Sequence, residues 1–183
     1  AVQAARKAYK GWSSLSIDAR AEYILKLSQK IADNFEELAL LETKDTGKPI
    51  STSQAIDIPR SVLNLKFFAD YIQEIKEKRF DTDDMKNSIE NPPLGVVGII
   101  SPWNLPLYLL TWKIAPALIT GNTVVAKPSE FTPTTAFRLG QLCEEIELPP
   151  GVLNIIQGTG DRAGSAIVEH PGIKAVSFTG STR

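Results

Sequence analysis

Cysteine, histidine and methionine each occur only once in the 183 residues. One cysteine excludes an internal disulfide framework and a cysteine-based zinc cluster, and one histidine excludes a multi-histidine metal site within these residues. No excess of one charge exists either. Twenty Lys+Arg stand against 21 Asp+Glu, a formal net charge of −1. A nucleic-acid partner needs a concentrated basic surface and is therefore not expected. Apolar runs stay short of the ~20 residues that a membrane-spanning helix requires, so no membrane span is expected. What remains is the composition of a globular protein, 43% hydrophobic and long enough to bury a core. The sequence opens on Ala1-Val2-Gln3, already inside a helical pattern and without a signal peptide. The expectation is a piece of a longer, cytoplasmic polypeptide.

Composition breaks near residue 90. Residues 1–90 hold 29 of the 41 charged side chains but only 2 of 12 glycines and 2 of 12 prolines. The first part therefore reads as long amphipathic helices and residues 91–183 as short buried strands alternating with helices. Ile24, Leu27, Ile31, Phe35, Leu38 and Leu41 recur at three- and four-residue steps, one apolar helical face, with Ser16 as N-cap and Gly47-Lys48-Pro49 as the stop. Ile58, Val62, Leu65, Ala69 and Ile72 repeat the pattern, and Pro59 belongs in that helix's first turn or kinks it if the helix starts earlier. The polar stretch from Glu74 to Asn91 reads as a solvated connection with an edge strand at residues 87–90. Beyond it, strands are expected at 95–100, 122–126, 152–156 and 173–178. Helices are expected between them at 106–120, 132–147 and 161–170. That alternation is the signature of a Rossmann-like, doubly wound parallel sheet in an α/β fold.

Ligands bind such sheets at the carboxyl ends of the strands. After the first strand, Ser101-Pro102-Trp103-Asn104-Leu105-Pro106 holds an amide donor between two prolines. A rigidly held amide suits a developing oxyanion, or it satisfies the backbone of its own loop. After the second strand, Lys127 could meet a phosphate or ribose hydroxyl and Glu130 a ribose diol, or the two could form a surface salt bridge. Gly158-Thr159-Gly160-Asp161-Arg162-Ala163-Gly164 is one residue longer than the usual dinucleotide fingerprint. Gly158 would permit the turn, and Gly160 and Gly164 would allow close helix packing. After the fourth strand, Phe178-Thr179-Gly180-Ser181-Thr182 offers backbone N–H groups and hydroxyls to a phosphate.

Taken together and in this order, these segments resemble the aldehyde dehydrogenase superfamily. The matching runs are GVVGIISPWNLPLYLLTWKIAPALITGNTVVAKPSE, PPGVLNIIQGTG and AVSFTGST, with ELALLETKDTGKPISTSQAIDI and FFADYI before them. The resemblance implies a partial NAD(P)-binding domain over residues 1–183, an incomplete form of that fold with the catalytic domain absent. Residues 1–90 would be its helical part and 91–183 its βαβ part. It implies attack of a cysteine thiolate on an aldehyde, hydride transfer to NAD(P)⁺ and hydrolysis of the thioester. Asn104 would help hold the oxyanion. Ile100, Ser101, Pro102 and Trp103 would line the cofactor cleft, and Lys127 and Glu130 would contact the adenosine ribose. Gly160 and Gly164 would admit the adenine side, while Phe178, Gly180 and Ser181 would lie near the pyrophosphate and nicotinamide. Leu105 and Trp112 would wall the substrate tunnel. NAD is expected over NADP, because the carboxylate of Glu130 would repel a 2′-phosphate. A homo-oligomeric enzyme acting on a small aldehyde is the further expectation.

The family's nucleophilic cysteine and general-base glutamate lie downstream of the Phe-Thr-Gly-Ser-Thr motif, outside these residues, so residues 1–183 alone are expected to be inactive. Cys143, inside an amphipathic helix beside Glu144 and Glu145, reads as a buried hydrophobe with a raised pKa. His170, ahead of Pro171, reads as a helix C-cap. The alternative to an enzyme fragment is a nucleotide-binding or structural module of the same fold without chemistry. The pattern Asp57-Ile58-Pro59-Arg60…Phe67-Phe68-Ala69 is similar to the branch acting on 2-aminomuconic and hydroxymuconic semialdehydes. By that resemblance Arg60 would grip a remote substrate carboxylate in two places, against the alternative of a surface pair with Asp57.

Overall fold

The computed structural model describes residues 1–75 and 78–181. Helices come first: α1 (Val2–Ser13), α2 (Ile17–Asp33), α3 (Phe35–Thr46), a short α4 (Ile50–Thr52), a π-helical turn (Ser53–Asp57) and α5 (Ile58–Tyr71). A hairpin follows, β1 (Lys78–Asp81) with β2 (Lys86–Ile89). Then β3 (Val96–Ile100), α6 (Pro106–Ile119), β4 (Thr123–Lys127), α7 (Thr134–Glu145), β5 (Leu153–Ile155), α8 (Ser165–Glu169) and β6 (Ala175–Phe178) alternate.

The apolar periodicity expected over Ile24–Leu41 is divided between two helices. Ser16 caps α2 as expected, its Oγ accepting from Ala19 N–H at 3.1 Å. The run then breaks at Asn34, whose side-chain amide donates to the Lys30 carbonyl at 2.8 Å and so ends α2 from within. On α3 the fully buried position beside Leu38 falls to Glu42, while Leu41 is only half-buried. Gly47 stops α3 at φ 74°. Pro59 lies at the second position of α5, inside a helical run that begins at Ile50. Its missing N–H removes one intrahelical hydrogen bond, and the turn ahead of it is wound as a π-turn. The edge strand expected at 87–90 is instead β2, paired antiparallel with β1 in a separate two-stranded sheet. Its tie is local, Thr82 and Met85 exchanging backbone hydrogen bonds of 2.8 and 3.3 Å.

The four remaining strands form one parallel sheet in the order β5-β4-β3-β6. Successive residues face opposite sides. Val97, Ile99, Val124 and Ala126 meet α2, α5, α6 and α7 in the larger core, which includes Trp12, Ile24, Leu65, Leu110 and Leu139. Val96 and Val125 face the other way, onto Ala5 of α1 and Ile167 of α8. The inner strands β3 and β4 are therefore covered on both faces, as in a doubly wound fold, while the edge strand β6 is exposed. Helices of the first part belong to this core. Trp12 Nε1 donates to the Leu118 carbonyl at 3.0 Å, Arg20 Nε to the Ile119 carbonyl at 2.9 Å, and Thr123 Oγ1 to the Ala5 carbonyl at 3.0 Å.

Candidate functional site

Four segments leave the carboxyl edge of the sheet in step. Ladder bonds continue past the strand ends: Ser101 N–H donates to the Lys127 carbonyl (3.2 Å), Thr179 N–H to Ile100 (3.1 Å) and Ile156 N–H to Ala126 (2.8 Å). These bonds align the starts of the segments that carry Ser101–Asn104, Lys127–Glu130, Gly158–Gly164 and Phe178–Ser181. Thr182 of the expected Gly-Ser-Thr turn lies outside the described residues.

Lys127 is 2% exposed at the end of β4. Its ammonium donates to Glu130 Oε2 at 3.0 Å and to the Pro128 carbonyl at 2.9 Å. The expected surface salt bridge is thus an ion pair with one buried member. Glu130 Oε1 also accepts from Gly160 N–H at 3.4 Å, tying the second loop to the third. Its carboxyl is held below the usual range by its own backbone N–H and by Lys127. Gly158 has φ 150°, and a Cβ there would stand 2.8 Å from the Ala163 methyl, so the turn excludes larger residues. The close packing expected to need both following glycines is found at neither. Gly164 is buried, but a Cβ there would meet Ile100 and Lys127 only at an ordinary 3.9 Å, and a Cβ on Gly160 would meet open space. The Ser101 hydroxyl is buried without a hydrogen-bond partner among the described residues. Trp103 and Phe178 are exposed, and the Phe178 ring folds back over Gly180, while Ser181 is open to solvent.

Asn104 is exposed ahead of α6, and its side-chain amide makes no hydrogen bond to another described residue. The alternative in which it merely satisfies its own loop is therefore not what the structure contains. Its carbonyl accepts from Lys48 Nζ at 3.0 Å. Lys48 also pairs at 2.7 Å with Asp57, whose side chain is wholly buried in the π-turn. At the next step Leu105, the N-cap residue of α6, has no side chain able to cap, and Glu42 Oε1 accepts from Leu107 N–H at 3.4 Å instead. Burial pushes the Glu42 carboxyl up to about 7, with Asp57 adding to the rise.

Arg60 is exposed and Asp57 is paired with Lys48, so the expected alternative of an Arg60–Asp57 pair is not formed. Its Nη2 donates to Tyr108 Oη at 3.3 Å, and the guanidinium carbon lies 5.4 Å from the Tyr108 ring centroid. Trp112 meets Tyr108 and Phe68 edge-on, and it shares with Arg60, Leu63 and Phe67 an open groove of 420 Å³. Cys143 is buried, and burial followed by Glu144 pushes its thiol up to about 12. Glu145 does not add to this as expected, because Arg138 and Lys30 hold it. His170 occupies the C-cap position of α8, but its Nδ1 accepts from Gly172 N–H at 2.9 Å in the following turn. Reasoning from sequence missed Lys48, Asp57, Glu42 and Tyr108. The one available signal was Lys48 directly ahead of Pro49, which restricts the backbone of the residue before it.

The model of the aldehyde dehydrogenase family matches residues 1–183. The chain belongs to the aldehyde dehydrogenase family. It is 51% identical over 184 residues to a 2-aminomuconic semialdehyde dehydrogenase of Danio rerio, covering 100% of this chain and 38% of that protein. Identity to the 2-hydroxymuconic semialdehyde dehydrogenase of Pseudomonas sp. (strain CF600) is 47% over 190 residues, covering 100% of this chain and 39% of that one. An aldehyde dehydrogenase of Bacillus cereus, solved as an NAD⁺ complex, superimposes with a TM-score of 0.95 at 40% identity, over 98% of this chain and 37% of that chain. The chain thus spans well under half the length of these aldehyde dehydrogenases. Among the described residues, no helix is long and apolar enough to cross a membrane, and no group of three His, Cys, Asp or Glu side chains could hold a metal ion.

Proposed function

We propose that residues 1–183 form a partial NAD-binding domain of an enzyme that oxidises a carboxylate-bearing semialdehyde to the acid. The observation that carries this reading is the Asn104 amide, exposed at the carboxyl end of the central strand and bonded to no other described residue. A preorganised donor of this kind stabilises charge that develops on a carbonyl oxygen. The nucleophile and general base then come from outside residues 1–183, since Cys143 is buried and its thiol sits at about 12.

NAD, when bound, supplies the hydride acceptor. The residues present suit it. Ile100, Ser101, Pro102 and Trp103 form one wall, with the Ser101 hydroxyl buried and unpartnered behind it among the described residues. The open space above Gly160 suits the adenine side. Phe178, Gly180 and Ser181 form the opposite lip. Glu130, kept ionised by Lys127, accepts from a ribose diol and opposes a 2′-phosphate, which favours NAD over NADP.

Arg60 is the proposed carboxylate receptor, with Trp112 and Leu105 beside the path of the substrate. Among the described residues it has no carboxylate partner, and the Tyr108 ring holds its planar fork. Relatives named for muconic semialdehydes support the same class. A homo-oligomer of the complete enzyme is part of the proposal.

The test uses the complete polypeptide that carries this chain, with one carboxylated and one uncharged aldehyde of similar length. Asn104→Ala is expected to lower kcat for both by roughly 10²–10³. Arg60→Ala is expected to raise KM for the carboxylated substrate alone. Equal KM effects on both aldehydes would sink the carboxylate assignment. NAD⁺ binding without cysteine-dependent turnover would replace the enzyme by a nucleotide-binding module.

A further inference from the structure

We propose that Lys48, anchored by the buried carboxylate of Asp57, is the residue that positions Asn104. This rests on the reading of Asn104 as an oxyanion donor. Three observations carry it. Lys48 lies between Gly47, which turns the chain at φ 74°, and Pro49, which restricts the backbone of the residue before it, and its side chain is only 15% exposed. Its ammonium makes two short contacts, to Asp57 Oδ2 at 2.7 Å and to the Asn104 carbonyl at 3.0 Å. Asp57 itself is wholly buried, and its Oδ1 has no other partner among the described residues.

A buried carboxylate with one unpartnered oxygen contributes little to stability on its own. What it does here is hold an ammonium at a defined point. The ammonium in turn orients the peptide between Asn104 and Leu105, and one end of that peptide carries the Asn104 side chain. At the other end of the same short segment, the Glu42 carboxylate accepts from Leu107 N–H. Asn104–Leu107 is thus clamped at both ends by α3 and the turn after it, from outside the sheet that carries the loop. The amide is left exposed while its backbone is fixed. Preorganisation of an oxyanion donor requires both conditions, because a donor that must reorient during the reaction loses its advantage.

Removing Lys48 alone would leave the Asp57 charge buried and unpaired, so the informative variant is Lys48→Met/Asp57→Asn, which removes both charges and keeps the volumes. Asp57→Asn alone is a milder companion. Both are made in the complete polypeptide. The double variant is expected to lower kcat at least tenfold, with KM for NAD⁺ within about twofold of the parent. When added to Asn104→Ala it is expected to cost less than twofold more, because Lys48 acts only through Asn104. Equal losses with and without Asn104, or an unchanged kcat, would overturn the proposal. A second readout does not depend on turnover. In ¹⁵N spectra the Leu105 backbone N–H and the Asn104 side-chain amide pair should shift or broaden in either variant, while the amides of Thr123–Lys127 stay in place. Unmoved Asn104 and Leu105 signals would refute the positioning role. If Asn104→Ala turns over normally while those signals still move, the oxyanion reading fails and the positioning by Lys48 stands.

Discussion

Glu42 has no access to solvent, and the charges of Asp57 and Lys48 act on it in opposite directions. Its folded pKa, about 7, stands above the ordinary 4.5. Between those values the folded chain holds a proton that the unfolded chain releases. Stability attributable to this group is therefore present at low pH, falls as pH rises through the window, and is fully lost above about 7. The cost at high pH is on the order of 3 kcal/mol. Glu42→Gln keeps the shape of the neutral acid and removes the titration. In urea unfolding at about pH 5 and pH 8, the parent chain should lose stability at the higher pH while the glutamine variant loses much less. A parent with equal stability at both values would show that Glu42 is not the titrating group. Glu42 was illegible in sequence because the partners that give it meaning, Leu107 and Asp57, come from distant elements, and its own neighbours suggest an ordinary exposed helix position. The place of Asn104 in a loop after a strand, by contrast, was legible from its two flanking prolines, while its role as an oxyanion donor rests on the resemblance. Lys127 and Glu130 were legible as a pair, though the burial of Lys127 was not.

At the scale of elements, the βαβ alternation was readable because short apolar runs bounded by Gly and Pro have few other solutions. The helical part was less so. The break at Asn34 preserves the three- and four-residue spacing of apolar side chains, so periodicity alone passes over it. The π-turn at Ser53–Asp57 leaves no compositional mark beyond the proline two residues on. The contact of α8 with β3 was also hidden. Gly98 sits in mid-strand, and a Cβ there would stand 2.4 Å from Ile167 Cγ2 and 3.3 Å from Val176 Cγ2. Ile167 is β-branched and 2% exposed, so it has little room to yield. Gly98→Val is expected to destabilise the fold by roughly 1–3 kcal/mol through overpacking. Combining it with Ile167→Ala should cost less than the sum of the two single changes, since each relieves the other. Strict additivity in denaturant midpoints would mean that α8 does not lie where this contact puts it.

For the whole molecule, the compositional break at residue 90 does not separate two cores. Trp12, Ile24 and Leu65 share one apolar cluster with Leu110, Val124 and Leu139. A chain built this way is expected to unfold in one step. With Trp103 and Trp112 changed to Phe, fluorescence would report Trp12 alone, and its midpoint should coincide with that of far-UV circular dichroism. Two separated midpoints would divide the chain after all. The strand order has a kinetic consequence as well. Val96 pairs with Thr123 and Val124 with Leu153, each one helix away along the chain, but Val97 must wait for Ala175. Closing that long loop is entropically the most demanding step, so β6 should be the last strand to zip on during folding. All four of its residues are exposed, so its amides should also be the first of the sheet to exchange with deuterium. Seen in time rather than in space, the lip that carries Phe178, Gly180 and Ser181 would be the latest part of the cleft to form and the earliest to open.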